Sequence, residues 1–131
     1  MNVALLGFGA IARIIHKTLS GESAAEFNFV GIFDPYLTEE DAENLQRLQC
    51  TRHSSLQDML AAKPHVVVEA ANQTAAKENV PFILAAGIDV LSLSVGAYID
   101  DPFMQKISEI SRMQSLADYI FLVERCLGSM Y

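Results

Sequence analysis

Gly7-Phe8-Gly9, with Ala12 three residues further on, is the most chemically specific spacing in the chain. The apolar run Val3-Ala4-Leu5-Leu6 precedes it and a helix-like pattern follows. A glycine–x–glycine turn between strand and helix suits the binding of a diphosphate. The first glycine permits the tight turn, the second lets the backbone approach the phosphates, and the third small residue lets the helix lie close to the strand. The helix that starts there turns free N–H groups and a positive dipole end toward an anion. Gly7, Gly9, Ala10 and Ile11 are therefore expected at the pyrophosphate of a dinucleotide. A second strand-like run, residues 27–33, ends at Asp34, whose carboxylate can accept hydrogen bonds from the adenosine ribose. A carboxylate there repels a 2′-phosphate, and neither Pro35 nor Tyr36 brings an arginine to hold one, so NAD is expected over NADP.

The other reactive residue types read as structural. His16 falls on the wetter face of the first helix, His53 in a loop and His65 at the start of a strand, with no partner spacing for a metal site or a triad. Asp100 and Asp101 are adjacent carboxylates, and Asp101 before Pro102 reads as a helix N-cap with proline at the first helical position. Cys50 and Cys126 lack metal spacing and read as reduced packing thiols, which places the chain in the cytoplasm. No metal site and no catalytic residue is assigned.

These groups need a scaffold, and the pattern supplies one. Apolar residues at Ile11, Ile14, Ile15 and Leu19 have helical spacing. Thr38, with Asp41 three residues on, resembles a capping box opening a helix that runs to Leu48 or Gln49. Residues 50–53 form a short, weak strand. Ser54 or Ser55 caps a brief helix through Leu60. The run Val66-Val67-Val68-Glu69-Ala70-Ala71 shows no alternation and so is a strand covered on both faces. Ala71 and Asn72 lie at its carboxyl end, where ligands of open parallel sheets bind. Asn72 or Thr74 either touches the cofactor or caps the helix of residues 75–86, which ends at Gly87. Residues 88–94 form the next strand, leading to Ser94, Val95 and Gly96. A helix carrying Phe103, Ile107 and Ile110 and a last strand, residues 119–123, complete the pattern. Strands alternating with helices imply an α/β fold, a Rossmann-type doubly wound parallel sheet of five or six strands in a single domain, residues 1–123.

Bulk properties agree with this architecture. A length of 131 residues suits one domain, and 51% hydrophobic residues can fill its core. A net charge of −7 with no basic run disfavours nucleic acid as a partner. No apolar stretch reaches the ~18 residues of a membrane span, so none is expected. No secretory signal is evident before the first strand.

Four blocks, taken in order, resemble the nucleotide-binding half of the L-aspartate dehydrogenase family. They are Leu5-Leu6-Gly7-Phe8-Gly9-Ala10-Ile11, Phe33-Asp34, Val66-Val67-Val68-Glu69-Ala70-Ala71-Asn72 and Leu93-Ser94-Val95-Gly96-Ala97-Tyr98-Ile99-Asp100. The resemblance covers residues 2–115. It implies oxidation of L-aspartate to iminoaspartate with NAD or NADP, with Ala71, Asn72, Ser94 and Gly96 along the edge toward the nicotinamide. Family members are longer and carry a second α/β domain with the aspartate pocket and a catalytic histidine. Residues 124–131 do not match the segment that leads into that domain, so the second domain is expected to be missing. A separate catalytic domain or a second copy of this chain are the protein partners that this implies. The alternative is a stand-alone nucleotide-binding sensor or regulatory protein without catalysis.

Overall fold

The computed structural model describes residues 1–21 and 25–113. The elements run β1 (Asn2–Leu6), α1 (Ala10–Leu19), β2 (Asn28–Phe33), α2 (Glu39–Arg47), α3 (Leu56–Ala61), β3 (Val66–Glu69), α4 (Gln73–Ala85), β4 (Asp89–Ser92), a 3-10 segment (Val95–Ile99) and α5 (Asp101–Met113). The four strands form one parallel sheet in the order β2-β1-β3-β4. Successive side chains of a strand point to opposite faces, and β1 divides accordingly. Ala4 and Leu6 enter one core with Val67, Ile83, Val90 and Ile107, while Val3 and Leu5 enter the other with Phe8, Ile32, Leu45 and Val68. Helices thus cover both faces, and the valine run is buried on both, as the lack of alternation implies. The fold is the expected doubly wound α/β sheet.

Several expectations are corrected. The weak strand at residues 50–53 reduces to one parallel bridge between Ile32 and Arg52, held by Ile32 N–H to the Thr51 carbonyl at 2.9 Å and His53 N–H to the Ile32 carbonyl at 2.8 Å. The expected strand at residues 119–123 and the tail beyond it lie outside the described residues. On α1 the buried residue is Ala12, while Ile11 and Ile14 are 57% and 64% exposed. The tight turn at Gly7 sets the helix phase and brings the small Ala12 toward the sheet. His16 is not simply solvated: its ring meets Phe29 edge-on at 5.0 Å, and burial pushes its imidazole below the ordinary value.

The helix caps follow their local chemistry. Thr38 accepts from Asp41 N–H and Ser55 from Asp58 N–H, both at 3.1 Å. Asp41 does not close the capping box, because its carboxylate pairs with Arg13. The cap of α5 is Asp100, one residue upstream of the expected Asp101: its Oδ1 accepts from Phe103 N–H at 3.1 Å. Lys77 grips the same carboxylate at 3.0 Å, and together these bonds hold it below the usual carboxylate range. Cys50 packs against the second core, where burial pushes its thiol up.

His53 has a structural task. β2 carries a bulge, since Val3 pairs with Phe29 and Ala4 with Gly31. Gly31 there has φ +133, and a Cβ on it would collide with the His53 ring. His53 Nε2–H donates to the Val30 carbonyl at 2.8 Å, which ties off the bulged residue.

Candidate functional site

The sheet order gathers all nine candidate residues at the carboxyl ends of four strands. Asp34 follows β2; Gly7, Gly9, Ala10 and Ile11 follow β1; Ala71 and Asn72 follow β3; Ser94 and Gly96 follow β4. The strand order reverses between β1 and β3, which is where open parallel sheets bind ligands.

Gly7 sits at the centre and has to be glycine for two reasons. Its φ is +104, and a Cβ on it would lie 2.8 Å from the N, Cα and Cβ of Ala71. Its N–H donates to the Phe33 carbonyl at 2.8 Å. Gly9 differs, because a Cβ there meets nothing within 4 Å. The protein's own packing therefore does not require glycine at that position.

Gly9 is the N-cap of α1 and supplies no capping side chain. The other four α-helices are capped by Thr38, Ser55, Asn72 and Asp100. The amides of Ala10 and Ile11 in the first turn of α1 thus lack the side-chain acceptor found at the other helices. Asp34 is tied to the turn that precedes them. Its Oδ2 accepts from Phe8 N–H at 2.9 Å and its Oδ1 from Tyr36 N–H at 2.8 Å. Each carboxylate oxygen keeps a further lone pair.

On the other side of the crevice, Asn72 caps α4: its Oδ1 accepts from Ala75 N–H at 2.8 Å. The capping alternative is therefore realised, and Asn72 remains exposed at the edge. Thr74 lies within the first turn of α4. Gly96 packs against the side-chain amide of Gln73, which occupies the space a Cβ would take; that exposed, flexible side chain can move aside, so packing does not require glycine here as it does at Gly7.

Motif spacing gave no role to Glu69, which proves central. It is fully buried and accepts four hydrogen bonds. Oε1 takes Ala71 N–H at 2.9 Å and Ser94 Oγ–H at 2.8 Å, and Oε2 takes Ser92 Oγ–H at 2.5 Å and Ser94 N–H at 3.2 Å. The Tyr98 hydroxyl joins the same cluster, pushed up to about 12 by burial first, with the Glu69 charge adding to the shift. A carboxylate taken out of water needs such a set of donors. The signal was one acid inside a run of buried valines. Its partners became identifiable only once β3 and β4 were in register, with Glu69 opposite Ser92.

A groove of about 820 Å³ between α1 and α2 collects Arg13, His16, Lys17 and Arg47 around Phe8. Arg13 stacks over the Phe8 ring at 5.0 Å and pairs with Asp41. No grouping of three or more His, Cys, Asp or Glu suited to a metal occurs among the described residues. No helix among them is long and apolar enough to cross a membrane.

Comparison with known proteins agrees with this geometry. The chain is 32% identical over 120 residues to the L-aspartate dehydrogenase of Archaeoglobus fulgidus, covering 92% of this chain and 45% of that relative. It therefore spans less than half the length of this curated relative. Among solved structures, the WlbA dehydrogenase from Bordetella pertussis, in complex with NADH and UDP-GlcNAcA, superposes with a TM-score of 0.74 at 19% identity over 87% of this chain and 34% of that one. Aspartate dehydrogenase from Thermotoga maritima gives 0.60 at 22% identity, covering 86% and 41%. The resemblance to the aspartate dehydrogenases is borne out, and the fold is that of dehydrogenase nucleotide domains. The family model described as "Homoserine dehydrogenase, NAD binding domain" matches residues 7–118, and the chain belongs to that family of NAD-binding domains.

Proposed function

We propose that this chain is the cofactor-binding half of an L-aspartate dehydrogenase-like oxidoreductase. The amides at the start of α1 hold the diphosphate, and Asp34 holds the adenosine ribose. Ala71, Asn72, Ser94 and Gly96 line the path of the nicotinamide half. The observation that carries this reading is the uncapped N-terminus of α1, hydrogen-bonded through Phe8 to the one acid at the end of β2. The open space at Gly9 fits the same reading, since a backbone approached by phosphate oxygens has to lack a side chain. NAD is favoured over NADP because the charge of Asp34 repels a 2′-phosphate and neither Pro35 nor Tyr36 brings an arginine to hold one.

When bound, NAD takes up the hydride removed from the carbon that bears the amine. The residues of this chain orient the dinucleotide; among the described residues no base and no clamp for two carboxylates is assigned. Arg112 is exposed, and Arg125 lies outside the described residues. The substrate pocket and its base belong to a second domain of the kind the resemblance implies, on a further segment or a separate chain.

Calorimetric titration of the chain with NAD(H) and NADP(H), paired with an assay of L-aspartate oxidation, tests this. Micromolar-to-millimolar NAD(H) binding with negligible turnover is expected. Absence of binding at millimolar cofactor, or robust aspartate oxidation by the chain alone, would overturn it.

A further inference from the structure

We propose that the buried Glu69 carboxylate fixes Ser94 as a hydrogen-bond acceptor toward the ligand, so that the site selects a carboxamide over a carboxylate on the pyridine ring. The inference rests on the dinucleotide reading above and adds a specificity to it. A carboxylate has no hydrogen to give, so the hydroxyls of Ser92 and Ser94 must both donate to Glu69. The single proton of Ser94 Oγ is then committed inward, and only lone pairs remain for anything approaching from the partly exposed side. Turning the Ser94 proton outward would leave Oε1 of a fully buried carboxylate with the Ala71 N–H as its one remaining donor.

Strand order gives this acceptor its position. With the diphosphate over β1 and the adenosine over β2, the far half of the ligand extends toward β3 and β4, where Ser94 follows β4. A carboxamide brings an NH₂ group that can donate to Ser94 Oγ. A pyridine carboxylate brings only lone pairs, and does so beside the charge of Glu69. Such an analogue loses a hydrogen bond and meets repulsion. Glu69 acts through Ser94 and is a positioning residue.

The test uses the full chain and three probes: NAD, its analogue with nicotinic acid in place of nicotinamide, and ADP-ribose, which lacks the pyridine. Calorimetry is expected to give the wild type a preference of about tenfold or more for NAD over the acid analogue. Ser94→Ala should reduce that preference to about threefold or less while leaving ADP-ribose affinity within about twofold. Ser94→Thr, which keeps the hydroxyl, should restore it. Equal wild-type affinity for NAD and its acid analogue would overturn the inference while leaving the dinucleotide reading intact. The inference fails in the same way if Ser94→Ala keeps the full preference, or weakens ADP-ribose as much as NAD. If wild type binds none of the three probes, the dinucleotide reading falls and takes the inference with it.

Discussion

The backbone N–H of Phe8 donates to Oδ2 of Asp34 at 2.9 Å. The acid at the end of β2 is therefore part of the glycine turn's own structure as well as a candidate ribose contact. If Asp34 is the ribose contact proposed above, Asp34→Ala should narrow the difference in affinity between NAD and NADP, because the charge that repels a 2′-phosphate is gone. It should also cost about 1–2 kcal/mol of stability through the lost tether. Paired titrations and urea unfolding check both parts. An unchanged NAD-to-NADP ratio would show that Asp34 does not contact the ribose.

Gly7 and Gly9 should respond in opposite ways. Gly7→Ala forces a positive φ and a collision with the Ala71 backbone, and is expected to destabilise the fold by about 2 kcal/mol or more. Gly9→Val places its side chain in open space and should change stability by no more than about 0.5–1 kcal/mol while abolishing NAD(H) binding. Thermal melts and calorimetry separate the two. A Gly9→Val protein that binds NAD(H) normally would remove the pyrophosphate from this turn.

Glu69→Ala leaves two hydroxyls and two N–H groups without their acceptor in a buried site. The expected cost is about 3 kcal/mol or more, read as a lower urea midpoint. A loss under about 1 kcal/mol would mean that water or a neighbouring group replaces the carboxylate.

How much of this was legible beforehand depended on whether the signal was local. The turn at Gly7 and Gly9, Asp34, the valine strand and the caps at Thr38 and Ser55 all depend on neighbours in sequence, and the structure places each where local chemistry does. The α5 cap was misplaced by one residue because either of two adjacent aspartates can cap a helix. The phase of α1 and the partners of Glu69 depend on contacts between elements distant in sequence. A period of apolar residues on α1 cannot show that Ala12, rather than Ile11 or Ile14, meets the sheet.

Acidification should act in two stages. His16 is pushed below its ordinary value of 6.5 by burial against Phe29. Its contribution is therefore present above that pH and is lost as the pH falls through the lower folded value. Asp58 is held below 3.8 chiefly by Ser54 and then Ser55, and Asp100 below the same value chiefly by Lys77. Their contributions persist above that pH and fade as acid protonates the folded state. Urea midpoints measured across this range should fall in both windows. His16→Leu should flatten the upper one alone; an upper slope unaffected by that substitution would assign it to another group.

The bulge at Val30 and Gly31 has a consequence at the far end of its strand. Because Val30 is inserted between two paired positions, everything downstream in β2 advances by one step and presents its alternate face. Were Val30 paired in the ladder instead of bulged out, Phe33 and Asp34 would each land one notch further along, and the carboxylate would swing away from the turn it now braces. Which residue braces the glycine turn is thus governed by arithmetic inside the strand, with a histidine ring as the peg that stops the count from slipping.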